Sequence, residues 1–134
     1  MHNYFFGKNN KKSILEKVHN GMREEKITLD ITLDEQNVCE QIHWNATQKP
    51  EPGVEEAKAI ALAIWDGWGK GTLKIDLWTK QMEVFEMKRF FIETISGMAD
   101  TIRIATGDEV MAMDMENICK RMQDRLEEEV KQVK

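Results

Sequence analysis

Hydrophobic and polar positions change their period several times along this chain, and the changes mark out its elements. Over residues 26–33 the alternation is strict, with Ile27, Leu29, Ile31 and Leu33 on one parity and Lys26, Thr28, Asp30 and Thr32 on the other. That is the period of a strand with one covered face. The turn formers Asp34, Glu35, Gln36 and Asn37 follow, and Val38, Ile42 and Trp44 then share a face over residues 38–44, so the two segments predict a β-hairpin. Pro50, Pro52 and Gly53 break the chain. After them Val54, Ala57, Ile60, Ala61, Ile64 and Trp65 recur at helical spacing, with Glu55 and Glu56 in the first turn where they complement the helix dipole. This reading gives a helix over 54–65 and sets Trp44 and Trp65 on core-facing positions. The glycine-rich run 67–71 ends it, and Leu73, Ile75 and Leu77 alternate with Lys74, Asp76 and Trp78 in a third strand.

Two helical stretches complete the chain. Met87, Phe91, Thr94, Met98, Ile102 and Ala105 form a stripe over 83–106, widened by Phe90, Ile92 and Ile95, and so broad an apolar face predicts contact with more than one neighbour. Gly107 is placed as a C-cap. From Asp108 a second helix runs through Met111, Met115, Ile118, Met122 and Leu126, and the charged residues 127–134 are expected to fray. The fold class predicted is α+β in the order β-β-α-β-α-α. It is a three-stranded antiparallel sheet, in the favoured order 2-1-3, with the helices packed on one face. Residues 1–22, with polar punctuation at Asn9, Asn10 and Asn20 around a weakly periodic segment, read as a leader or extension; residues 23–134 read as a single domain.

Composition narrows the function classes. A chain of 134 residues can bury a core without staples. Its two cysteines, Cys39 and Cys119, are too few for a disulfide framework, which favours free thiols in a reducing compartment, the cytoplasm. No apolar run reaches signal-peptide or membrane-span length, so neither export nor membrane insertion is supported. The net charge is −5, although the leader carries Lys8, Lys11, Lys12 and Lys17. An acidic body repels phosphate backbones and disfavours nucleic acid as a partner. The sequon at Asn45 has no meaning without a secretory route.

The chemistry-bearing residues do not converge on a catalytic pattern. Gly67, Gly69 and Gly71 invite a phosphate-loop reading, but a phosphate loop runs from a strand into a helix N-terminus, and here the glycines serve positive φ in a tight turn. Cys39 and His43 share a strand parity yet lie about 13 Å apart, too far to share a zinc ion or a hydrogen bond. Asp30, Asp34 and Glu35 fail the calcium-loop spacing because the sixth position is Glu35 instead of glycine. No catalytic residue, cofactor site or metal site is assigned. The methionines on the helix stripes read as packing, with an adaptable partner groove as the sharper alternative. Trp78 shares its strand face with Lys74 and Asp76, and Trp68 sits among turn glycines. An exposed aromatic rimmed by charge is the pattern of a protein-binding hot spot, so Trp78, Lys74, Asp76 and Trp68 are the candidate partner-binding residues. Cover by the leader or by the last helix is the competing reading of Trp78.

The ordered motifs 33–37 (LDEQN), 42–44 (IHW), 71–80 (GTLKIDLWTK), 86–91 (EMKRFF), 98–101 (MADT) and 105–107 (ATG), with the expected helix 55–65 between them, resemble the gliding motility-associated GldC family of Bacteroidetes. The resemblance runs from Arg23 to Leu126 and is most specific over 73–80. Two departures are visible: the residues before Met22 are extra, and Glu83 stands where family members commonly have proline. The resemblance implies a small soluble accessory protein that assists motility, with no catalytic residues to carry over. The first functional expectation is therefore a non-enzymatic interaction protein whose partners belong to the gliding or associated secretion machinery. The alternative is a small-molecule-binding domain or minor enzyme with a pocket between sheet and long helix. A homodimer formed through surplus apolar surface on the last two helices is a further possibility.

Overall fold

The computed structural model describes residues 21–133. The expected leader, apart from Gly21 and Met22, lies outside the described residues. The chain is α+β and divides into two compact units, one ending at Gln81 and the other starting at Met82.

The first unit is built from two antiparallel sheets. Strands β1 (Ile27–Leu33), β2 (Cys39–Ala46) and β3 (Glu55–Ala57) pair in the order β1-β2-β3, and β4 (Ala59–Trp65) pairs with β5 (Thr72–Trp78). The predicted hairpin is present. Ile31 lies opposite Ile42 and Leu29 opposite Trp44, so one face of the sheet is apolar while Thr28, Asp30 and Thr32 line the other. The turn is held by Asp34, whose carboxylate accepts the backbone N–H groups of Gln36 and Val38. Asn37 takes a left-handed conformation, φ 61°, which asparagine tolerates better than most residues. The Lys80 ammonium pairs with the same carboxylate, and this hydrogen bond, with those from Val38 and Gln36, holds Asp34 below the usual carboxylate pKa. Beyond β2, Lys49 folds back so that its nitrogen lies 4.8 Å from the centre of the Trp44 ring and 3.3 Å from Glu55. The buried stem of Lys49 thus covers an aromatic face while its charge keeps two partners. Ile42, with no exposed surface, is the largest fully buried side chain among the described residues.

The helix expected over 54–65 is not formed; that segment is β3 and β4, separated by a bend at Lys58. The third strand accordingly pairs with β4 and not with β1, and the favoured 2-1-3 order is replaced by a separate hairpin sheet. The physical reason is visible in Ile60-Ala-Leu62-Ala-Ile64. Both parities are apolar, so the period of two is written in side-chain size and not in polarity, and helical spacing fits it equally well. Cross-strand pairing then decides the outcome over the helix propensity of alanine. The glycines of the connecting loop act as turn formers: Gly69 and Gly71 have φ of 72° and 145°, and Asp66 O accepts from Gly69 N at 2.9 Å.

The second unit is a helical hairpin of α1 (Val84–Thr106) and α2 (Glu109–Val133). Glu83 caps α1, donating its backbone N–H to the Glu86 carboxylate at 3.0 Å, so the position where proline was expected supplies half of a capping box instead. Gly107 closes the helix in the left-handed conformation as anticipated, and Asp108 caps α2 by accepting the Met111 N–H at 3.0 Å. The seam has a seven-residue repeat on both helices: Ile92 and Ala99 on α1, and Ala112, Cys119 and Leu126 on α2, are its buried residues. Phe85, Ile95 and Met122 pack around Ile92, Cys119 and Leu126. The end of α2 does not fray as expected; helix continues to Val133. Leu126 is buried there, Lys131 pairs with Glu128, and Lys88 reaches across from α1 to Glu129.

Ion pairs close both ends of this hairpin. Arg103, in the last turn of α1, binds Glu109 and Glu116 of α2, which pulls the Glu109 carboxyl below its ordinary pKa; Lys88 does the same to Glu129. A carboxyl whose pKa is lower folded than unfolded stabilises the fold fully above the unfolded value, and that contribution is lost as pH falls through the folded value. Helical ellipticity at 222 nm should therefore show a thermal midpoint that is flat through neutrality and declines below about pH 4.3, the ordinary glutamate range. Glu109→Gln with Glu129→Gln should flatten that decline.

Candidate functional site

The β4–β5 hairpin positions the candidate residues. Its register places Ala59 opposite Trp78, Ala61 opposite Asp76, Ala63 opposite Lys74 and Trp65 opposite Thr72. All eight side chains leave the same face, because cross-strand partners share a side of the sheet. The alanine row is low, so the β5 side chains stand clear of it. Trp65 and Trp78 mark the two ends of the face, 69% and 56% exposed, and Lys74 and Asp76 form a 3.2 Å ion pair between them. The opposite face carries Ile60, Leu62 and Ile64 against Leu77, Ile75 and Leu73.

Three of the four sequence candidates, Trp78, Lys74 and Asp76, are thus brought together on one face. Trp68 is not on that ladder; it stands almost wholly exposed in the loop between the strands. Trp65, read from the sequence as a core residue, is instead the second aromatic of the face. The signal that could have found it is its parity: it follows Ala59, Ala61 and Ala63 by twos. Trp44, the other tryptophan placed in the core, is half-buried under Lys49.

Chemically this face offers flat aromatic area, one positive and one negative group already paired, and a shallow floor. Such a surface suits a protein partner better than a small molecule, which needs concavity. Cys39 and Cys119 are both buried and free, and they belong to different units. Among the described residues no group of three or more His, Cys, Asp or Glu side chains is placed to hold a metal ion, and no helix is long and apolar enough to cross a membrane.

Residues 39–128 match the family described as gliding motility-associated protein GldC-like. The matched span begins at β2 and ends near the close of α2, so it takes in most of the sheet unit and most of the helical hairpin. No match was found among curated proteins or among solved structures.

Proposed function

Since this chain belongs to the GldC-like family of gliding motility-associated proteins, we propose that it supports motility without catalysis, by holding a protein of the gliding or associated secretion machinery on the β4–β5 face. The observation that carries this reading is the pair of exposed tryptophans, Trp65 and Trp78, bracketing the Lys74–Asp76 pair. Tryptophan removed from water in a complex gains large apolar area for little lost side-chain freedom, which is why it is enriched at hot spots. The charged pair between them fixes register more than affinity.

A non-catalytic role is supported by the electrostatics. Among the described residues the groups with displaced pKa are in acid–base pairs: Asp34 with Lys80, Arg103 with Glu109 and Glu116, and Glu129 with Lys88. Each pair stabilises the charges its members already carry. A working general acid or base needs the reverse, a charge made unfavourable enough to move a proton near neutrality. The cytoplasm is the compartment proposed, supported by the two buried free thiols.

Affinity capture from gliding cells with the full chain tests the proposal. Machinery proteins should be recovered, and Trp65→Ala or Trp78→Ala should each weaken that recovery by ~30-fold, the scale of a hot-spot residue. Both side chains are exposed, so unaltered far-ultraviolet circular dichroism separates lost binding from lost folding. Capture unchanged in both variants would remove this face from the function.

A further inference from the structure

The helical hairpin has two flanks, and they differ in kind. On one side of the seam stand Arg89, Arg103, Glu109, Glu116, Gln123 and Glu127, several of them tied by the Arg103 ion pairs. On the other side each helix carries an apolar stripe, bounded at the open end of the hairpin by Lys88, Arg125 and Glu129: Phe91 and Met98 of α1, with Met111 and Ile118 of α2, are 36–50% exposed. Met87 and Phe91 share an open cleft of roughly 300 Å³ with Met122 and Arg125, so the two stripes lie on one side of the hairpin. Two helices with one apolar flank and one charged flank have the pattern of half a four-helix bundle.

We propose that a second copy of this chain covers this flank, stacking the two hairpins into a four-helix bundle. Charge complementarity selects the occupant and its direction. Along the outer edge of the Met111 and Ile118 stripe, α2 carries Asp114 before Ile118 and Arg121 after it, both exposed, and neither has an ion-pair partner among the described residues. A copy of α2 running antiparallel, with the two-fold axis at the level of Ile118, sets Asp114 against the partner copy's arginine and Arg121 against its aspartate. The same symmetry brings the Arg125 side chain, 83% exposed, over Met111, where its aliphatic stem covers the thioether and its charge stays in water. A parallel copy related by a two-fold axis would carry its Asp114 and Arg121 to the opposite edge of the interface, where these four groups do not meet. The surface is self-complementary in one direction, as a two-fold interface requires.

Sedimentation velocity of the full chain tests this. The expected result is a species of twice the 15.6 kDa chain mass, converted to monomer by Ile118→Glu with helical ellipticity retained. Asp114→Arg alone and Arg121→Asp alone should each raise the dimer dissociation constant by ~10-fold, since each places like charges together at two symmetric positions, and the double variant should restore it. A chain that is monomeric at 100 μM, the order of the highest practical concentration, overturns the proposal. So does a dimer indifferent to Ile118→Glu, or a charge reversal that the second substitution does not rescue. The tryptophan face plays no part here, so Trp65→Ala and Trp78→Ala should leave the dimer unchanged, and failure of one reading is distinguishable from failure of the other.

Discussion

Ile42→Ala should lower the stability of the sheet unit by about 4 kcal/mol, the upper part of the range for truncating a buried isoleucine. Three terms act in the same direction. The side chain has no exposed surface, so the whole transfer free energy of its lost carbons is forfeited. Ile42 is paired on both edges, with Ile31 of β1 and Ala57 of β3, so the space left behind cannot close without shifting two ladders. Alanine is also a poorer strand former than isoleucine. Against a total stability of about 5–15 kcal/mol for a whole domain, such a loss leaves the sheet marginal. Tryptophan fluorescence reads it directly, because all four tryptophans precede Gln81. The midpoint should fall by ~15 °C or more. Ile42→Val, which removes one carbon, should fall by about 1 kcal/mol. Equal effects of the two variants would show that the site relaxes freely and that the burial of Ile42 does not set the stability of the sheet.

Ile92→Ala should cost the helical hairpin about 2–3 kcal/mol. Ile92 packs with Cys119 and Leu126, and Phe85, Ile95 and Met122 lean on that cluster, so truncation removes its central piece. The Cys119 thiol also lies 3.6 Å from the Ile92 carbonyl oxygen, which holds the two helices at close approach there. The loss is smaller than at Ile42 for two reasons. Ile92 retains a little exposure, and alanine is the better helix former by a few tenths of a kcal/mol. The helical signal at 222 nm is the readout. Ile104→Ala, on the same helix but largely exposed, should change the midpoint by no more than ~0.5 kcal/mol equivalent. If both variants unfold alike, the seam is not where the hairpin's stability resides.

Much of this architecture could be read from residue patterns wherever one parity was polar. β1, β2, β5, both long helices and the Gly107 cap fall where periodicity and capping chemistry put them, because Thr28, Asp30, Thr32, Lys74 and Asp76 declare the wet face outright. The segment 55–65 was illegible for the opposite reason. Over β4 both faces are apolar, one of alanines and a tryptophan, the other of isoleucine and leucine, so polarity carried no period. That single misreading cost the second sheet, the partner of β5, and with it Trp65. The end of α2 was misjudged on composition: Glu128 and Glu129, though solvated in part, pair with Lys131, with Arg125 and with Lys88 of α1, and helix continues to Val133. Of the candidate site, the β5 half was visible because an aromatic broke an otherwise charged face. The β4 half was hidden because it does not break the pattern of its own strand.

Among the described residues each principal pairing joins an element to its successor: β1 to β2, β2 to β3, β4 to β5, α1 to α2. Contact order is therefore low, and little loop-closure entropy has to be overcome before a native contact is rewarded. The chain is expected to fold quickly and to complete its hairpins in sequence as they leave the ribosome, with no early strand kept waiting for a late one.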